Sequence, residues 1–129
     1  MSKKIRTHGF AVAIKRTKKR LFIEVTAYGK LRREDYEFFV PLMEKAIKSA
    51  KGREVDLLVD MRPFKGWKPK AAWDDLRFGL KYRNVFDKMA VIGDKKWEKI
   101  ALKLFAPLMR GETKFFKSRD KALAWLSGD

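Results

Sequence analysis

The chain has no cysteine and one histidine, His8, in 129 residues. Without thiols there is no disulfide, iron–sulfur cluster, thiolate zinc site or cysteine nucleophile, which fits a reducing compartment. A single histidine in a basic N-terminal segment cannot build a His-based metal cluster or a catalytic triad. Long apolar runs are missing too. Uncharged stretches such as 38–43 fall far short of the roughly 18 residues a membrane span needs. Met1 to Arg6 is basic, but no apolar region follows it as in a secretory signal. A soluble, cytoplasmic protein is therefore expected. Phosphate-binding glycine loops, the dinucleotide fingerprint and the nucleophile elbow are absent, so the expectation is a protein that is not an enzyme and has no cofactor and no metal.

What is abundant is positive charge: 32 Lys and Arg oppose 16 Asp and Glu, a formal net charge of +16. The chain is nonetheless 46% hydrophobic and 13% aromatic, which excludes a disordered polymer. Its length suits one domain over 1–129, with 1–9 as a flexible or edge segment, and is enough to bury about two-thirds of the unfolded surface.

Period-two alternation predicts strands over 10–15 and 21–28, joined by a hairpin whose tip carries Lys15, Arg16, Lys18, Lys19 and Arg20. Tyr36, Phe39, Val40, Met43, Ile47 and Ala50 then trace one face of a helix, interrupted by Pro41, where a kink or restart near Val40 is expected. Val55 to Val59 reads as a buried strand ending at Asp60, 61–69 as a loop, and 70–81 as a helix with Trp73, Leu76 and Leu80 at helical spacing. Met89 to Ile92 predicts a strand before Gly93-Asp94. A helix follows, carrying Trp97, Ile100, Ala101, Leu104, Phe105 and Leu108, then a strand over 113–116 and a Ser118-capped helix over 119–126 docked by Ala122, Trp125 and Leu126. The order ββαβαβαβα implies an α/β fold with a mostly parallel sheet, right-handed crossovers and an antiparallel edge hairpin.

Ligands of open parallel sheets bind beyond the carboxyl ends of the strands. That directs attention to Asp60, Arg62, Lys65, Trp67, Lys68 and Lys70 in one loop, and to Asp94, Lys95 and Trp97 in the next. Cations at a helix N-terminus beside an indole face could hold an anionic or amphipathic small ligand. Alternatively, Phe64 and Trp67 plug the end of the core and the lysines are solvated. Asp60 and Asp94 could share a divalent ion or act as acid and base, but no third ligand or nucleophile accompanies them. Asp74-Asp75 suits the positive end of its helix, and neighbours on a helix point apart, against a paired-carboxylate site. The hairpin cations form a candidate arm for nucleic acid, whose five charges predict a log–log salt slope of about −4. Helices gathered on one face of the sheet would leave the other for a second copy, making a homodimer an expectation.

Several stretches together resemble the SpoIIAA-like family of small bacterial proteins. They are Gly29-Lys30-Leu31, Glu34-Asp35-Tyr36 with Pro41, Leu58-Val59-Asp60, Phe64-Lys65-Gly66-Trp67, Ala72-Trp73-Asp74-Asp75, Ala90 through Trp97, and Ala122 to Leu126. The similarity runs from about residue 10 to 127, and the family is related to the STAS domain of anti-sigma-factor antagonists and compared with lipid-binding SEC14-type domains. The resemblance implies a β/α superhelix with strands in sequential order, tolerance of Pro41, and a binding or regulatory module with a small ligand or a protein partner. STAS antagonists are switched by phosphorylation in the loop after the strand that 55–59 resembles. Residues 60–72 contain neither Ser nor Thr.

Overall fold

A computed structural model describes residues 7–82, 84–94, 96 and 112–127. Lys95, the helix expected from Trp97 to Leu108, and residues 1–6 of the expected edge segment lie outside the described residues. Strands β1 (Gly9–Arg16) and β2 (Arg20–Leu31) form the antiparallel hairpin, and helix α1 (Arg33–Lys48) follows. Next come β3 (Glu54–Asp60), β4 (Phe64–Trp67), α2 (Pro69–Tyr82), β5 (Phe86–Ile92), β6 (Glu112–Phe116) and α3 (Arg119–Leu126). The sheet order is β1-β2-β3-β5-β6, parallel from β2 onward, as the alternation of strand and helix implies.

Alternation along the strands sorts the core into two layers. Leu21, Ile23, Val25, Val55 and Leu57 face α1 and α2, while Leu58, Ala90 and Ile92 face Ala122 and Leu126 of α3. The second sheet face therefore already carries a helix from the same chain, which is why no second copy is required to cover it there. Ser118 caps α3 by accepting a hydrogen bond from the Lys121 backbone N–H. Trp125 packs against Phe116 with ring centroids 5.8 Å apart.

Three local expectations change. Helix α1 passes Pro41 as one element with no restart at Val40, because Pro41 lies on the exposed side, where the carbonyl it leaves unpaired can meet water. The segment expected as loop contains β4. Strand β2 runs to Leu31, beyond the last residue it pairs with in β3, and Gly29 to Leu31 pair with Phe64 to Trp67 instead. Backbone hydrogen bonds from Gly29 to Pro63 and from Lys68 to Leu31 clamp the ends of this pairing at 2.9 and 2.8 Å. In α2 the inward stripe is Ala71, Asp75, Phe78 and Tyr82, and Trp73 and Leu80 are 58% and 41% exposed. The outer stripe looked like the buried one because the true one includes an acid.

Gly29 is required where it stands. Its φ is +69°, and an added Cβ would lie 2.1 Å from the Thr7 carbonyl oxygen and 2.9 Å from His8 Cα. Glycine thus lets the N-terminal segment lie across β2. His8 Nδ1 is then 2.7 Å from the buried Asp35 carboxylate, which also accepts the Arg32 backbone N–H at the start of α1.

Candidate functional site

Between the sheet and helices α1 and α2 lies a cavity of about 130 Å³. Its walls are apolar over most of their extent, with Val25, Ala27, Leu57 and Val91 from the sheet and Phe39 and Met43 from α1. Strand β4 contributes Phe64, 3% exposed, and Trp67, whose rings meet edge to face at 4.6 Å. The pair plugs the end of the core, as the second reading of the loop anticipated, and lines the cavity as well.

Polar groups converge at the Trp67 end. The indole Nε1–H donates to the Tyr36 hydroxyl at 2.8 Å, and both groups lie beside the carboxylate of Asp75 and favour its charged form. Burial pushes the Asp75 carboxyl up to about 6, against the pull of those two groups. Burial likewise raises Tyr36, and the negative charge of Asp75 adds to the rise. Across the cavity, the Thr113 hydroxyl oxygen on β6 is buried with no hydrogen-bond partner among the described residues.

The other residues singled out from the sequence do not join this cluster. Asp60 lies on the opposite sheet face, where Arg62 Nη2 donates to it at 2.7 Å and the Arg62 backbone N–H at 3.0 Å. Burial works to raise Asp60, but the hydrogen bonds and charge of Arg62 outweigh it and hold the carboxyl below its ordinary value. Arg62 in turn has its guanidinium committed to that carboxylate. Lys65 is exposed on β4, and Lys68 and Lys70 are exposed at the start of α2, around the mouth of the Trp67 region rather than inside it. Asp94 is exposed beyond β5. Among the described residues no cluster of three or more His, Cys, Asp or Glu could hold a metal ion. Lys95 and Trp97 lie outside the described residues.

The hairpin cations divide. Arg20, at the first position of β2, pairs with Glu54 at 3.0 Å, Asp56 at 3.0 Å and Asp87 at 3.3 Å. Arg16 donates to the Ser49 hydroxyl at 2.9 Å. Lys15, Lys18 and Lys19 stay exposed, and Lys18 and Lys19 share an open groove with Lys51 and Arg53. Arg53 is itself held by the Thr17 and Ala50 carbonyls.

Asp75 and Tyr36 line the cavity and stand outside the candidate residues the sequence singles out. In sequence Asp74 and Asp75 both suit the helix N-terminus, yet Asp74 pairs outward with Arg33 at 3.1 Å and only Asp75 faces the cavity. The available signal was the stripe Ala71, Asp75, Phe78, Tyr82 at i, i+4, i+7 and i+11.

Among the described residues no helix is long and apolar enough to cross a membrane. Comparison with known proteins places the chain firmly. The model of the SpoIIAA-like family matches residues 22–127. A Shewanella loihica PV-4 protein of the DUF3478 family, with a SpoIIAA-like fold, is 37% identical, with 98% of each chain covered and a TM-score of 0.80. An anti-sigma factor antagonist from Mycobacterium paratuberculosis is 13% identical, with 92% of this chain and 95% of that one covered and a TM-score of 0.49. No curated protein matches. On the family match and the Shewanella structure, the chain belongs to the SpoIIAA-like family.

Proposed function

We propose that the protein is a non-catalytic binding module of the regulatory kind, which takes up a small amphipathic ligand between its sheet and helices α1 and α2. The observation that carries this reading is the apolar cavity of about 130 Å³ with its polar groups gathered at the Trp67 end. Protein interiors are close-packed, with few voids larger than a water molecule, and an apolar cavity of roughly 150 Å³ is enough to bind benzene. A space of this size focused on three polar side chains has the form of a ligand site rather than of a packing fault.

Two buried acids outside the cavity are committed to partners, Asp60 to Arg62 and Asp35 to His8, and Asp75 is the acid that the cavity itself offers. A regulatory output fits the walls of the site, since α1 and α2 are joined at their outer edges by the exposed pairs Arg33–Asp74 and Lys81–Glu44. Such pairs are individually weak, so a ligand wedged beneath the helices can shift their spacing and alter the surface a partner protein meets.

Thermal unfolding with toluene and indole as probes tests this reading. Ala27 lines the cavity from β2, so Ala27→Leu fills the space from the sheet side. The midpoint of the native chain is expected to rise with probe concentration and that of Ala27→Leu to stay flat. An equal response from both proteins would sink the cavity as the binding site.

A further inference from the structure

Resting on the cavity reading above, we infer that the ligand is an uncharged aromatic or cyclic molecule carrying one O–H or N–H donor, of the phenol or indole class, with Asp75 as the acceptor that selects it. The cavity is sized for a single ring system rather than for a long acyl chain. Its polar end joins the Asp75 carboxylate to the Tyr36 hydroxyl, which itself accepts the Trp67 indole N–H. An ionised carboxylate offers about four lone-pair positions, so Asp75 keeps acceptor capacity beyond its interactions with Tyr36 and Trp67. What the site lacks is a donor, and the ligand brings one. A carboxylate ligand would instead place a second negative charge beside Asp75 in a low-dielectric space, and a purely apolar ligand would leave its acceptor capacity unused.

A second observation, on a different strand, points into the same space. The buried Thr113 hydroxyl lines the cavity without a hydrogen-bond partner among the described residues. Buried polar groups are nearly always paired, so an orphan facing a cavity marks a place where a ligand atom completes the bonding. Thr113 on β6 and Asp75 on α2 bracket the ligand from opposite walls, which suits a ring with a donor at one edge and a polarisable or weakly accepting edge at the other.

Calorimetric titration at about pH 7.5 with phenol, toluene and benzoate tests the selection, using the native chain, Asp75→Leu and Asp75→Asn. A hydrogen bond to a charged acceptor predicts that the native chain prefers phenol over toluene by roughly tenfold or more and rejects benzoate. Asp75→Leu is expected to abolish or reverse the phenol preference while still binding toluene. Should that variant fail to fold, Asp75→Asn keeps the side-chain shape and is expected to reduce the preference several-fold. Equal affinity for phenol and toluene in the native chain, or benzoate binding best, overturns the role of Asp75 and leaves the cavity reading standing. Binding of none of the three overturns both.

Discussion

Asp75→Asn is expected to stabilise the protein at about pH 7.5 and to have almost no effect near pH 4. The carboxyl of Asp75 is raised from 3.8 to about 6 by burial between α2, Tyr36 and Trp67. A group whose folded value exceeds its unfolded value binds protons more tightly in the folded state. Its stabilising contribution is complete below about 3.8 and is lost as the pH rises through about 6. The shift corresponds to about 3 kcal/mol of stability withheld from the native chain at neutral pH. Asparagine removes the charge and keeps one carbonyl oxygen for the Tyr36 and Trp67 donors, whose weaker hydrogen bonds offset about 1 kcal/mol. The net gain at pH 7.5 is therefore about 1–2 kcal/mol, shrinking toward zero by pH 4. Urea unfolding of both proteins across that range reads the difference directly, and the repulsion among the remaining charges, common to both, cancels. A variant less stable than the native chain at pH 7.5, or a difference that does not change with pH, would refute the assignment of Asp75 as a partly buried, strained carboxylate.

Gly29→Ala is expected to destabilise by at least about 2 kcal/mol in chemical denaturation, because the left-handed backbone and the approach of Thr7 both oppose a Cβ. Gly52→Ala is the contrast: its φ is +87° but nothing lies within 4 Å, so about 1 kcal/mol of backbone strain is the whole effect. If the two variants lose equal stability, the N-terminal segment does not cross β2 at Gly29. Thr113→Val is expected to raise the unfolding free energy by about 1 kcal/mol, since it removes a buried hydroxyl without a partner at nearly constant shape; a loss of stability would mean that the hydroxyl is bonded. For mixed-sequence RNA, neutralisation by Lys15, Lys18 and Lys19 alone predicts a log–log salt slope no steeper than about −3, and a slope of −4 or beyond would require further cations, Lys51 of the same groove or Arg16 and Arg20 released from their partners.

The sheet was readable because its strands repeat with period two or run as continuous apolar stretches, and α1 and α3 because their apolar stripes are unbroken. Strand β4 escaped because four residues offer only one alternation, Phe64 and Gly66 in against Lys65 out, and glycine carries no hydropathy signal. Its existence depends on β2 outrunning β3, a tertiary circumstance. The polar end of the cavity is hidden in the sequence for a related reason. Tyr36, Trp67, Asp75 and Thr113 come from four elements far apart in sequence, and each has an ordinary local explanation as a core aromatic, a loop plug, a helix-dipole acid or a strand residue. Only Trp67 belonged to the set expected from the sequence.

The same separation of sequence neighbours governs the charge. Arg16 and Arg20 sit on strands, where the register fixes their directions, and each finds a partner: Ser49 for one, and Glu54, Asp56 and Asp87 for the other. Lys18 and Lys19 occupy the turn between them and have no such neighbours among the described residues. A run of five cations is therefore two structural ties and three solvated lysines, and Asp56, buried beside Arg20, makes one of those ties costly to break: burial raises its carboxyl while the guanidinium draws it back down. A polyanion drawn to this end of the sheet would compete with three carboxylates for Arg20. Elsewhere in the core, the cavity presents Asp75, with Tyr36 and Trp67 beside it, and a Thr113 hydroxyl without a partner among the described residues. The proposed ligand site therefore draws on the cavity, where the Thr113 hydroxyl has no partner among the described residues, rather than on the hairpin, where Arg16 and Arg20 already have theirs.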